Sequence, residues 1–328
     1  MTNLLPAITT NQAGQPRRVG VELEFAGLTP TVILDVITAV LGGNVHRDTR
    51  FEYSISDGAL GEIVLELDAE YMKELARAAE DAESRSELER LTDDALAGAA
   101  QVVVPWEIVT DPIPMTRLME LEPLISALRR AGARGTRYSP WYAFGLHLNP
   151  EMPALDAATI LSYVRSYTCL YDWLVVREQL DPSRKWFTPY IETFDSAYID
   201  LILEDDYAPG IEALIDDYLQ ANPTRNKSLD MLPLFAHIDE DRVRAAVDDP
   251  RIKARPALHY RLPNCDIDRE GWNLNLPWSH WLEVEDLAAD PEKLQRACHA
   301  FRRELSRGPR LFKSRWVEQC ESWLVRST

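Results

Sequence analysis

Arg18-Val19-Gly20-Val21-Glu22-Leu23-Glu24-Phe25 alternates strictly: Val19, Val21, Leu23 and Phe25 take one parity, and Glu22 and Glu24 take the other. A period of two belongs to a β-strand, so the stretch predicts a strand over 18–26 with its apolar side turned to a core. Residues two apart on a strand point the same way, about 7 Å apart. Glu22 and Glu24 therefore project side by side. Two such carboxylates repel unless cations or protons lie between them. The plainer alternative is the solvated face of an edge strand.

Outward from this strand, Thr29-Pro30 opens a helix over about 30–42 and Gly42-Gly43 stops it. Strands are expected near 51–56 and 60–67. From 70 to about 97 the chain is rich in Ala, Glu, Arg and Leu, with acid–base pairs three or four apart, which predicts an exposed helix or helix pair. A strand over 101–109, a helix over 114–131, an apolar strand over 141–149 and a long helix over 156–180 follow. Helices at 194–204 and 209–220, a short strand at 258–262, and helices at 290–306 and 312–325 complete the series. Strands and helices mix without a βαβ rhythm. The expected class is α+β, a largely antiparallel sheet with helices packed on it. Residues 1–17 are expected to be an irregular arm, and 18–328 a single catalytic domain carrying a helical insertion at about 68–100.

Four further pieces carry chemistry. Asp57-Gly58 is a turn by composition. Glu107 stands within an otherwise apolar strand, where an acid must be exposed, paired or bound to a cation. His147 and Asn149 alternate with Leu146 and Leu148, so both face one way; a hydrogen-bonded core histidine is the competing reading. His259 and Arg261 also lie two apart, and an arginine fork there suits two oxygens of a phosphate or carboxylate. Its plainer alternative is a surface strand.

Composition narrows the class. The net charge of −18 over 328 residues, with no Lys/Arg run longer than a pair, argues against a nucleic-acid partner. No apolar run is long enough to span a bilayer or to form a signal segment. The four cysteines are widely spaced, without metal or redox patterning, which suits packed thiols in a reducing, cytoplasmic compartment. Neither a Walker loop nor a G-x-G-x-x-G occurs.

Taken in order, Gly20-Val21-Glu22-Leu23-Glu24-Phe25, Asp57-Gly58-Ala59-Leu60, Glu107-Ile108-Val109-Thr110-Asp111-Pro112 and Gly145-Leu146-His147-Leu148-Asn149 resemble a known set. It is that of the amidoligase family within the glutamine synthetase and glutamate–cysteine ligase superfamily of carboxylate–amine ligases. The resemblance runs from about 18 to 285 and rests on five short motifs, the fifth being His259-Tyr260-Arg261. It implies the curved, mostly antiparallel sheet of that superfamily and an ATP- and Mg²⁺-dependent ligase, with Mn²⁺ as a substitute ion. An acyl phosphate would form on the carboxylate, and an amine would displace the phosphate to leave an amide or isopeptide bond. Substrates range over small-molecule or peptide carboxylates and amines, including a protein tail, and related enzymes are often oligomers.

Carried onto this chain, the resemblance implies that Glu24, Asp57 and Glu107 hold one metal ion. Glu22 and His147 hold a second, with His259 beside them, and Arg261 meets the transferring phosphoryl group. Asn149, Arg225, Lys227 and Arg255 are expected around nucleotide or substrate. Two departures stand out. The family's E-x-R is His259-Tyr260-Arg261 here, an imidazole in place of a metal carboxylate, and the stretch 68–100 is additional. The first keeps open a weak or inactive relative that binds a ligand or protein; separately, the same carboxylates could activate water in a metal-dependent amide hydrolase.

Overall fold

A computed structural model describes residues 4–49, 51–67, 105–138, 143–181, 184, 191–308 and 312–325. The expected helical insertion at 68–100 lies outside the described residues, as does the 101–104 start of the following strand. In chain order the first part contains β1 (Arg18–Phe25), α1 (Pro30–Leu41), β2 (Asn44–Arg47), β3 (Glu52–Gly58), β4 (Gly61–Leu67), β5 (Trp106–Thr110), β6 (Ile113–Pro114) and α2 (Glu122–Ala131). After these come β7 (Leu146–Pro150), α3 (Ala157–Arg177), α4 (Ser196–Ile202), α5 (Ile211–Ala221), β8 (Leu229–Asp230), α6 (Leu232–Ile238), α7 (Glu240–Ala246) and β9 (His259–Tyr260). The chain closes with α8 (Asn275–Ala288), α9 (Pro291–Ser306) and α10 (Phe312–Gln319).

The strands form one sheet in the order β2-β3-β4-β5-β1-β7-β9-β8, with β6 beside β1, and every pairing is antiparallel. The class is therefore α+β with an antiparallel sheet. β1 is an interior strand, which rules out the edge-strand reading of its two acids. Its odd-numbered residues behave as the alternation predicts: Val19, Val21, Leu23 and Phe25 are wholly buried. Across the ladder, Leu23 faces Ile108 and Leu146, and Val21 faces Leu148, so one side of the sheet is a continuous apolar surface. Tyr260 extends that side across β9 through its pairing with Leu148. The helices complete the core, with α1 against α2, and α3 against α8, α9 and α10.

Several boundaries depart from expectation for identifiable reasons. The helix expected over 114–131 is a 3₁₀ segment, Met115–Leu121, and then α2. Pro123 has no N–H to donate, so a continuous α-helix cannot pass through that point. The strand expected over 258–262 shrinks to two residues, because Pro256 and Pro263 bracket it. β7 begins only at Leu146 within the expected 141–149. α6, α7 and α8 were not anticipated; α8 begins at Asn275 with Leu274 as its N-cap and no side-chain cap, so the usual start signal is missing. Among the described residues no helix is long and apolar enough to cross a membrane, and all four cysteines are free and buried.

Candidate active site

The side of the sheet opposite the apolar core collects polar groups, and strand register decides which of them meet. Glu22 lies across from His147, and Glu24 across from Glu107. The second row continues outward: Glu107 faces Glu66 on β4, and Glu66 faces Glu52 on β3. Directly opposed residues in an antiparallel ladder share a face. Four glutamates from four adjacent strands thus form one transverse row, with His147 beside its inner end.

His147 is the hub. Its Nδ1 lies 2.7 Å from Glu22 Oε2, and its Nε2 lies 3.2 Å from Glu24 Oε1. Glu107 Oε1 is 3.9 Å from Nδ1. The His259 ring stands edge-on to that of His147, with centroids 5.2 Å apart. His259 Nε2 is 3.3 Å from Glu22 Oε2, and its Nδ1 is 3.7 Å from Asp230 Oδ2. Two groups of donors converge closely enough to hold a metal ion: Glu22 with His147 and His259, and Glu24 with Glu107 and His147. Glu22, His147 and His259 are all buried.

Protonation favours the same assignment. Burial pushes His147 down to about 3, although Glu22 draws it upward, and Arg261 and His259 add to the depression. The ring is therefore neutral near pH 7 and carries one proton. One of its nitrogens must then turn a lone pair toward a carboxylate oxygen, which a bound cation would relieve. Burial alone would raise the Glu22 carboxyl, yet electrostatic attraction from His259 and the hydrogen bond from His147 hold it well below the usual carboxylate range. Glu22 is an anion, as a metal ligand must be. Further buried polar atoms also await a partner: neither ring nitrogen of His259 makes a hydrogen bond, nor do Asp230 Oδ2 and Arg225 Nε. Such groups are costly to bury unsatisfied, and a ligand is one way of satisfying them.

The remaining expected residues divide. Asn149 Nδ2 donates to Glu22 Oε1 at 2.8 Å, and Arg255 Nη2 donates to Asn149 Oδ1 at 2.9 Å. Arg255 Nη2 is also 3.5 Å from Glu22 Oε1. Both residues are thus engaged with the Glu22 carboxylate. Arg261 is buried beside His147 and donates through Nη1 to the Arg225 carbonyl at 2.9 Å. Arg225 Nε is 3.8 Å from Asp230 Oδ2, and Lys227 Nζ donates to the Thr193 carbonyl at 2.9 Å.

Asp57 is not brought to the cluster. It sits at the far end of β3, exposed, with φ of 59°, and accepts a hydrogen bond from Asn44 Nδ2. Along the strand it is five residues from Glu52, roughly 16 Å at the usual rise. The Asp-Gly pair ends β3, just ahead of the Ala59-Leu60 turn into β4, rather than being the turn itself, and Glu52 and Glu66 are the acids that β3 and β4 add to the row. Sequence reasoning also missed Arg184 and Asp230. Arg184 is buried and donates to the carbonyls of Arg261 at 2.8 Å and Pro263 at 2.7 Å, fixing the backbone that carries Arg261. Gly145 leaves room for this arrangement, since a Cβ there would lie 2.8 Å from His147 Nε2 and 3.0 Å from Arg184 Nη2.

Residues 15–283 match a family model described as "Putative amidoligase enzyme". The chain belongs to this amidoligase family. The match takes in the nine strands found among the described residues and every residue of both donor groups. Membership assigns the chain, at a coarse level, to the ligases that form amide bonds. No curated protein and no solved structure matches it.

Proposed function

We propose that this amidoligase is an ATP- and Mg²⁺-dependent carboxylate–amine ligase that works through an acyl phosphate, on a catalytic fold of the glutamine synthetase and glutamate–cysteine ligase type. The observation that carries the reading is the pair of donor groups sharing His147, with the Arg261 guanidinium alongside. Divalent ions held there would neutralise phosphate oxygens and polarise the transferring phosphoryl group. Glu22, Glu24, Glu107, His147 and His259 are the residues that would hold them.

The chain's own residues supply the rest. Arg261, with its backbone fixed by Arg184, presents a planar fork of donors to charge developing on the phosphoryl oxygens. A substrate carboxylate oxygen attacks the γ-phosphorus and ADP departs. The amine nitrogen then attacks the acyl carbon, phosphate departs, and the nitrogen loses its proton as the amide forms. No serine or cysteine nucleophile is needed. Arg225, whose carbonyl accepts from Arg261 Nη1, and Lys227, two residues further on, suit the anionic part of a small-molecule or peptide carboxylate. The free buried thiols support a reducing, cytoplasmic setting.

The test measures ADP and phosphate release with Mg²⁺ against panels of carboxylates and amines, alongside Glu24→Ala and Arg261→Lys variants. Glu24→Ala is expected to remain folded and lose metal-dependent ATP binding. Arg261→Lys is expected to retain ATP binding but lose turnover, since lysine keeps the charge without the fork. Amide cleavage without ATP would instead establish hydrolase chemistry.

A further inference from the structure

The two donor groups differ in chemistry as well as position. Glu24 and Glu107 bring two carboxylates, whereas Glu22, His147 and His259 bring one carboxylate and two imidazoles. Resting on the ligase reading of this site, we infer that the second group is a transition-metal site, selective for Zn²⁺, Mn²⁺ or Co²⁺ over Mg²⁺, and that the first remains a hard-cation site.

Glu22 is prepared to give one oxygen. Its Oε1 accepts from Asn149 Nδ2 at 2.8 Å and lies 3.5 Å from the Arg255 guanidinium, which leaves Oε2 to the imidazoles. Oε2 is 2.7 Å from His147 Nδ1 and 3.3 Å from His259 Nε2. Donors bound to one ion at about 2.0–2.1 Å in tetrahedral geometry lie roughly 3.3–3.4 Å from one another, so small movements would close this set around a metal. Independent support comes from His259. It is buried on its short strand, and neither ring nitrogen makes a hydrogen bond. Imidazole suits transition ions, while Mg²⁺ favours oxygen ligands and holds its water. The nearby Arg255 weakens the negative field that a hard dication would otherwise require.

The sharing of His147 is settled by the same geometry. A neutral ring bonded to metal through Nδ1 carries its proton on Nε2, which faces Glu24 Oε1 at 3.2 Å. Glu24 then orients the ligand, as outer carboxylates commonly do for metal-bound histidine. His147 becomes the link between the two sites, belonging as a ligand to only one.

The test is direct metal binding by the full chain, without nucleotide. Metal-free protein is titrated with Co²⁺ and followed by its visible d–d absorption, then challenged with Mg²⁺ and with Zn²⁺. One Co²⁺ per chain is expected, displaced by Zn²⁺ but not by a hundred-fold excess of Mg²⁺ (about 2.7 kcal/mol of discrimination by mass action). His259→Gln should weaken Co²⁺ binding by at least about ten-fold, and Glu24→Gln by about 10- to 100-fold. His259→Glu should bind again, with Mg²⁺ now competing; this variant keeps a ligand in place if the glutamine form folds poorly. Unchanged Co²⁺ affinity in folded His259→Gln, or displacement by equimolar Mg²⁺ in the wild type, overturns the assignment. The two readings fail separately. His259-dependent Co²⁺ binding without any ATP turnover would retain the metal assignment and remove the ligase. Turnover with Mg²⁺ alone, and no such binding, would do the reverse.

Discussion

Two buried ionic networks in this protein make an instructive pair. In one, Arg17 donates through both terminal nitrogens to the two oxygens of Glu285 at 2.8 Å, and its Nε donates to the Glu151 carbonyl at the same distance. Tyr163 and Trp281 donate to the same carboxylate. In the other, Glu22 meets His147 and His259, yet neither ring nitrogen of His259 makes a hydrogen bond and Asp230 Oδ2 beside it has none. Both networks are buried and both join residues more than a hundred positions apart. The first has spent its hydrogen-bonding capacity within the protein and so clamps the start of β1 to α8. The second has capacity left over. Burial of charge is common to structure and function, and unspent valence is what separates them.

That contrast can be broken most forcefully at Glu285. Glu285→Ala leaves the Arg17 guanidinium buried without its carboxylate, and should cost about 3–5 kcal/mol of stability, measured by urea denaturation. Glu24→Gln, in the unsaturated network, should cost clearly less in metal-free protein. If the two losses prove equal, the distinction between the networks fails. Gly145→Ala comes next. A Cβ 2.8 Å from His147 Nε2 and 3.0 Å from Arg184 Nη2 overpacks the site, at about 1–3 kcal/mol, and should also weaken metal binding; a fully stable variant with normal metal affinity would show that the site is loosely built.

Acid sharpens the comparison further. His147 is depressed from 6.5 to about 3 in the folded chain, so the unfolded chain binds more protons between those values. Glu22 is also depressed, so its contribution is present above the unfolded carboxylate value and lost as pH falls through its lower folded value. Both effects have the same sign: metal-free protein should lose stability steadily as pH drops below about 6.5. Denaturation curves at stepped pH check this, and His147→Gln should flatten the upper part of the slope. An equally steep slope in that variant would place the titration elsewhere. The smallest effect is expected at Asp57. Asp57→Asn keeps a residue that tolerates positive φ, so stability should stay within about 0.5 kcal/mol, with metal affinity unchanged. A marked loss of metal binding would return Asp57 to the site.

The sequence by itself determined what depends on neighbours along the chain. Strict alternation over 18–25 set the buried face of β1, and the same period placed Glu22 with Glu24, His147 with Asn149, and His259 with Arg261. The acid in the middle of β5 was legible because a carboxylate is conspicuous among Ile108, Val109 and Trp106. Parity also puts Glu66 on the face opposite Ile63 and Leu65, but no local signal says that Glu66 stands across from Glu107 rather than one pair further along. Only the tertiary structure decided that register, and with it the row of four glutamates and the exclusion of Asp57. It alone brought Arg184, from a stretch without periodicity, onto the carbonyls around Arg261, and turned Asn149 and Arg255 toward one oxygen of Glu22. The reason is physical: side-chain direction follows from backbone geometry over two residues, whereas cross-strand partners are chosen by the packing of the whole sheet, where a slip of one residue would turn every acid of a strand into the core.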